Sequence, residues 1–141
     1  MRLTGLTGII VVAITLATCA KAEAQVSLQP GLYERVFETE AAGATGKHKD
    51  TLCMTPADAK DVVKTIATAG AETNCKVSDV KTAAGGKLTF KMTCKDEGGT
   101  STYNNDISFG PDWYTNVSKG KTKDGDVSSK VNAKRIGECT K

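Results

Sequence analysis

Residues 75–94, CKVSDVKTAAGGKLTFKMTC, alternate apolar and polar side chains on both sides of the turn sequence at 83–86. This pattern predicts two antiparallel strands, 75–82 and 87–94, joined by a four-residue turn. The resulting register sets Cys75 directly across from Cys94, where facing Cβ atoms lie close enough for a disulfide. We therefore predict a hairpin that is closed at its open end by a Cys75–Cys94 bridge.

The same register has one fault, because it sets Asp79 opposite the apolar Phe90. A β-bulge near Ser78-Asp79 adds one residue to that strand and brings Val80 opposite Phe90. The hairpin would then present one continuous apolar face. We therefore expect a bulge at this point.

Two more cysteines, Cys53 and Cys139, complete a set of four after residue 24. An even number of cysteines in an exported chain indicates disulfides. The gaps between the four are 22, 19 and 45 positions, without the close pairs that are typical of a metal site. We favour Cys75–Cys94 with Cys53–Cys139, and the main alternative is Cys53–Cys75 with Cys94–Cys139. No metal and no cofactor is predicted.

The chain begins with the features of a secretory signal peptide. Arg2 is followed by an apolar run over residues 6–17, and Ala22-Glu23-Ala24 has small residues at the two positions that a signal peptidase reads. The run is too short to span a bilayer, which takes about 20 residues. We predict a signal peptide at 1–24 and a single domain at 25–141, with no transmembrane span in the mature chain.

A lipoprotein signal is the alternative interpretation of this segment. Leu16-Ala17-Thr18-Cys19 resembles such a signal, in which Cys19 would become the lipidated first residue. Thr18 fits that motif poorly, because a small residue usually precedes the cysteine. The expected location is therefore periplasmic or secreted, with a lipoprotein anchored through Cys19 as the alternative.

The rest of the chain predicts short strands and one helix. Thr55 and Pro56 begin a segment whose apolar positions follow helical spacing, which predicts an amphipathic helix over about 56–69. The other predicted strands, separated by turn signals, are 32–40, 47–54, 101–109, 113–117 and 127–136. The fold class is mainly β (α+β): a curved antiparallel sheet or open barrel of about six to seven strands, with one short amphipathic helix and two disulfides.

Composition argues against most catalytic schemes and against nucleic-acid binding. The single histidine, His48, has lysines on both sides, and no nucleophile elbow occurs in the chain. The densest acidic clusters, Asp96-Glu97 and 124–126, lie beside glycines in predicted turns. Removing Arg2, Lys21 and Glu23 with the signal peptide leaves 17 basic and 15 acidic side chains, too weak a surplus for nucleic acid. No catalytic residue is predicted.

Two features are candidates for contact with a ligand or partner. Adjacent strand residues point to opposite faces, so one ring of Trp113-Tyr114 should enter the core while the other faces outward. Lysines also cluster at the predicted 119–126 tip and recur along the strand 87–94, where they either bind anions or keep the surface soluble.

Several landmarks together resemble the bacterial domain-of-unknown-function family three-six-one-seven. They are Pro30-Gly31-Leu32-Tyr33-Glu34, Cys53 followed by Thr55-Pro56 and a helix, the Cys75 and Cys94 strands, and Arg135-Ile136-Gly137-Glu138-Cys139. Members typically have Trp at the position of Tyr33. The resemblance implies a periplasmic or envelope location and assigns no catalytic or binding residues.

The leading hypothesis is therefore a non-catalytic exported envelope protein that binds a small apolar ligand or an envelope partner, because a sheet with a helix across it can enclose an apolar cleft. One alternative is a hydrolase of envelope glycans that uses two carboxylates. Another is a domain that binds an anionic surface or a protein. The identity of the ligand or partner, the physiological process and the oligomeric state do not follow from the sequence.

Overall fold

Seven antiparallel strands form one open sheet in the computed structural model, which describes residues 27–68 and 74–140. The strands are β1 (Gly31–Ala41), β2 (Ala44–Met54), β3 (Cys75–Ala83), β4 (Lys87–Asp96), β5 (Gly99–Gly110), β6 (Trp113–Thr122) and β7 (Gly125–Gly137). Their order is β2-β1-β7-β6-β5-β4-β3, so the last strand pairs with the first. The mainly β prediction is confirmed. The predicted signal peptide at 1–24 and Cys19 lie outside the described residues.

The hairpin of β3 and β4 has the predicted pairing at its disulfide end. Cys75 faces Cys94, and the register shifts between Ser78 and Lys81, as the predicted bulge requires. The turn is one residue shorter than predicted, because Ala83 pairs with Lys87. Val80, however, is 50% exposed and does not complete the apolar face.

Two other hairpins are longer than predicted. The expected loop 41–46 is a tight turn at Ala42-Gly43, where both residues have positive φ as a type I′ turn requires. The expected lysine-rich tip at 119–126 is mostly strand, because β6 and β7 continue to pair as far as Thr122 and Gly125. Cross-strand pairing therefore extends through residues whose composition suggested loops.

The helical region is divided in two, α1 (Pro56–Lys60) and α2 (Val62–Thr68), which corrects the prediction of one helix. The predicted cap is present: the Asp58 amide donates to Thr55 Oγ1 at 3.2 Å, and the return hydrogen bond to Asp58 completes a capping box. Hydrogen bonds from Thr55 lower the pKa of Asp58. The helix breaks at Asp61, whose carboxylate accepts a hydrogen bond from the Lys64 amide at 3.1 Å and so caps the second helix. Position 69, the predicted end, lies outside the described residues.

The sheet has two faces of different character. The core face carries Tyr33, Ile107 and Tyr114 and contacts the helices, whereas the outer face carries the alternating polar residues. β2 ends at one corner and β3 begins at the diagonally opposite corner, and the two helices that follow β2 pack on the core face through Ala59 and Val62. The buried apolar core consists of Leu28, Tyr33, Met54, Ala59, Val62, Leu88, Phe90, Ile107, Phe109, Tyr114 and Ala133.

Both favoured disulfides are present. Cys53–Cys139 spans 86 positions and joins β2 to the segment after β7, while Cys75–Cys94 spans 19 positions within one hairpin. The alternative pairing through Cys53–Cys75 is therefore wrong. Disulfides are consistent with an oxidising compartment. Within the described residues, no helix is long and apolar enough to cross a membrane.

Two buried tyrosines predict how stability changes at high pH. Burial raises the pKa of Tyr114, against the effect of Arg35 nearby. Burial also raises the pKa of Tyr33, a shift that Arg135 reduces and Asp112 increases. Above the ordinary tyrosine pKa of about 10 the unfolded chain loses these protons while the folded chain keeps them, so stability falls as the pH rises.

We therefore expect Tyr33 and Tyr114 to ionise at a higher pH in the folded protein than in the unfolded chain. Absorbance at 295 nm and circular dichroism, followed together above pH 9, measure this. The variant Tyr114→Phe should remove part of the cooperative absorbance step. Ionisation of Tyr33 and Tyr114 at the ordinary tyrosine pKa of about 10, with an unchanged dichroism spectrum, would contradict the prediction.

Candidate functional site

The lysines of the strands all lie on one face. Every strand lysine is exposed, and the pairing registers place each of them on the outer face of the sheet. They are Lys47 and Lys49 in β2, Lys76 and Lys81 in β3, Lys87, Lys91 and Lys95 in β4, Lys119 and Lys121 in β6, and Lys130 and Lys134 in β7. The outer face is therefore cationic, a distribution that the net charge of the chain does not reveal.

The positive charge is uneven across the outer face. Strand β1 supplies three glutamates there, of which Glu34 pairs with Lys49 at 2.8 Å and Glu38 with Lys47 at 3.3 Å. The half formed by β2, β1 and β7 is thus largely neutralised. The half formed by β3 to β6 has seven lysines, and its described outer-face acids are Asp79 and Asp106.

An open groove of about 790 Å³ lies on this lysine-rich half and crosses four strands. Lysines, hydroxyl groups and amide groups supply most of its polar lining, and Asp79 contributes an ion pair to Lys91 at 3.6 Å. The lining residues are Asp79, Lys81, Thr89, Phe90, Lys91, Asn104, Asn105, Asp106, Ser108, Thr115, Val117 and Lys119. Such a lining offers cations for an anion and hydrogen-bonding groups for hydroxyls.

Trp113 and Tyr114 are on opposite faces, as the alternation predicts. Trp113 is 42% exposed on the outer face, two residues along β6 from Thr115, which lines the groove. Tyr114 is buried on the core face, with its ring centroid 6.2 Å from that of Tyr33. Trp113 is thus placed to contact a molecule that lies along the groove.

A different feature lies on the core face, where two asparagines are buried among mainly apolar side chains. Asn105 and Asn116 are 6% and 8% exposed, and Asn116 Nδ2 donates to Asn105 Oδ1 at 3.3 Å. The side-chain nitrogen of Asn105 (Nδ2) and the side-chain oxygen of Asn116 (Oδ1) are buried without a hydrogen-bond partner. An unpaired buried polar group costs about 1–3 kcal/mol, so this pair calls for an explanation.

Arg35, one of the ionic groups on the core face, is already paired. Arg35 donates to both carboxylate oxygens of Asp50, at 2.7 and 2.6 Å, and its guanidinium lies 5.0 Å from the centroid of Phe37. Burial acts to lower the pKa of Arg35, but the hydrogen bond to Asp50 raises it overall. Arg35 therefore stays charged and is occupied by Asp50.

The remaining chemical candidates are dispersed. His48 is exposed on the edge strand β2, with its ring 5.9 Å from that of Phe37. Carboxylates lie on strands as well as in turns, as Asp106 in the groove shows. Among residues 27–68 and 74–140, no cluster of three or more His, Cys, Asp or Glu side chains could hold a metal ion.

Sequence reasoning missed the buried asparagine pair. Asn105 alternates with Tyr103 and Ile107 on one face of β5, and Asn116 lies two positions from the buried Tyr114. A polar amide at an inward position of each of two neighbouring strands was the available signal. The lysine distribution was also hidden, because it depends on the pairing of distant strands.

Comparison with known proteins gives one match. The model of a family described as "Protein of unknown function (DUF3617)" matches residues 28–139, which is nearly all of the described chain. No curated protein and no solved structure matches the chain.

Proposed function

This chain belongs to the DUF3617 protein family, and from its own surfaces we propose that it is an exported, non-catalytic protein of the cell envelope that binds an anionic glycan polymer. The observation that carries the proposal is the groove on the outer face, which is lined by Lys81, Lys91 and Lys119. Export is supported by the two disulfides and by the predicted signal peptide. We propose the periplasm, or the medium outside the cell, as its location.

The groove suits an anionic glycan better than a membrane surface. A concave site admits a single chain, whereas a flat lipid surface contacts side chains that protrude most. Thr89, Ser108 and Thr115 offer hydroxyl groups to the hydroxyls of sugars, and the lysines offer cations to sulfate, phosphate or carboxylate groups. Asp106 can accept a hydrogen bond from a sugar hydroxyl. A surface of phosphate groups alone has no hydroxyl to donate that bond.

A hydrolase of envelope glycans stays the alternative from another class. Asp79 and Asp106 share the groove, so carboxylates are available next to a bound glycan. Asp79 is 64% exposed and pairs with Lys91, whereas a catalytic acid requires an environment that keeps its proton. Release of reducing ends from a bound glycan would favour this alternative over simple binding.

Binding of dextran sulfate, with neutral dextran as the matched probe, tests the proposal. We expect saturable binding of dextran sulfate at about 150 mM salt, where weak surface electrostatics are screened. Replacing three exposed lysines removes about 0.5 kcal/mol each, so Lys81→Gln/Lys91→Gln/Lys119→Gln should bind about tenfold more weakly. Isothermal titration calorimetry measures both affinities.

The matched control removes three lysines from the neutralised half of the outer face. The variant Lys47→Gln/Lys49→Gln/Lys130→Gln has the same net charge as the groove variant and should keep most of the affinity. Equal losses in the two variants would mean that net charge alone governs binding. Tighter binding to phosphatidylglycerol vesicles than to dextran sulfate would indicate a membrane surface and overturn the proposal.

A further inference from the structure

The buried pair of Asn105 and Asn116 presents a fixed set of free hydrogen-bonding groups. One amide donates to the other, which leaves one amide nitrogen and one carbonyl oxygen unpartnered. If the oxygen and nitrogen positions of both side chains are exchanged, Asn105 donates to Asn116 instead. One side-chain nitrogen and one side-chain oxygen are still left free. The pair therefore always offers one donor and one acceptor.

The surroundings of the pair are mainly apolar. On the core face Asn105 is opposite Phe90 on one side and Ser118 on the other, and Asn116 is opposite Ile107 and Val131. Phe90 and Ile107 are buried, and Val131 packs against the core. A molecule that reaches the two amides must place its remaining atoms against these side chains.

We propose that this pair binds the polar group of a small, uncharged ligand, a hydroxyl or a primary amide attached to an apolar body. Such a group both donates and accepts, so it satisfies both free atoms of the pair. A carboxylate accepts but does not donate, and it would face the carbonyl oxygen of Asn116. Its charge would also be buried against the apolar side chains of Phe90, Ile107 and Val131, which is costly.

The test uses 1-octanol and octanoate as probes, which share their alkyl length and differ in the polar group. Side-chain amide signals of the purified, disulfide-bonded protein are followed in ¹H–¹⁵N spectra during each titration. We expect 1-octanol to shift the Asn105 and Asn116 signals in a saturable way, and octanoate to bind about tenfold more weakly because its charge is not compensated.

Variants separate the pair from non-specific apolar binding. Asn105→Leu/Asn116→Leu removes both amides without leaving one unpaired, and it should weaken 1-octanol binding about tenfold. The matched control Asn132→Leu changes an asparagine on the outer face of β7 and should leave the affinity unchanged. The spectra of the unaltered protein test the proposal even if the double variant misfolds.

Three results would overturn the proposal. One is the absence of any shift at the two amides up to the solubility limit of 1-octanol. Another is equal binding of octanoate. The third is a long-lived water at the pair that 1-octanol does not displace, which would make this a hydration site only. Dextran sulfate binding, measured on the same samples, reports the outer face separately, so failure at one site is distinguishable from failure at the other.

Discussion

Reduction of both disulfides is expected to leave the protein largely unfolded at 37 °C. In the chain-entropy model, the 19-position separation of Cys75–Cys94 contributes about 3 kcal/mol, and the 86-position separation of Cys53–Cys139 about 4.5 kcal/mol. Domains of this size are commonly stable by about 5–15 kcal/mol in total. Loss of both bridges therefore removes an amount comparable to the whole net stability.

The position of each bridge explains why the two should differ. Cys75–Cys94 joins two strands that already pair along their length, so the hairpin can still form without it. Cys53–Cys139 joins the edge strand β2 to the segment after β7, on the far side of β1. Cys53→Ser/Cys139→Ser should therefore lower the melting temperature more than Cys75→Ser/Cys94→Ser.

Thermal melts followed by circular dichroism, with and without a strong reductant, measure the effect. Thiol titration in denaturant of the chain from residue 25 onward must show four free cysteines in the reduced sample and none in the oxidised one. The two double serine variants, melted without reductant so that each keeps its other bridge, report the separate bridges. A fully reduced protein with an unchanged melting curve would contradict the prediction.

The hairpin with the Cys75–Cys94 bridge could be predicted because its information is local. Alternation of side chains sets the register over a few residues, and a single register brings the two cysteines together. The cap at Thr55 was equally readable, since its partner Asp58 lies three residues away. The prediction erred at Asp61, whose side chain caps a new helix and breaks the apparent periodicity.

Long-range pairing was the part that local patterns did not contain. Alternation along β1 and β7 shows that each is a strand, but nothing in either segment states that they are neighbours. That pairing aligns Glu34 and Glu38 with lysines of two adjacent strands and so leaves the excess lysines on the other half of the sheet. The candidate groove follows from this arrangement and could not be predicted before it.

The same pairing explains two sequence motifs that lie more than a hundred residues apart. Arg135 on β7 reaches across Gly31 and donates from Nε to the carbonyl oxygen of Pro30 at 2.8 Å. Its guanidinium also contacts Glu138. The Pro30-Gly31 and Arg135–Glu138 motifs thus form one contact that fixes the start of β1 against the end of β7.

Gly31→Ala is expected to destabilise the protein by about 3 kcal/mol, because two effects act together. Gly31 has a φ of +145°, a conformation that residues with a side chain rarely adopt. A Cβ atom built there would lie 2.6 Å from the carbonyl oxygen of Gly137 and would also meet the Arg135 side chain. The backbone oxygen cannot move without disturbing β7.

Gly46→Ala is the matched control, since Gly46 lies in β2 without a positive φ and its Cβ would meet no atom within 4 Å. Its melting temperature should stay close to that of the parent, whereas Gly31→Ala should melt about 10–15 °C lower. The double variant Gly31→Ala/Arg135→Ala distinguishes the two obstacles, because it removes the guanidinium and leaves the Gly137 oxygen in place. If Gly31→Ala costs no stability in the Arg135→Ala background, then the side chain alone resists the new methyl group. We expect the opposite: most of the Gly31→Ala loss should persist without Arg135, because the strained φ and the backbone oxygen remain.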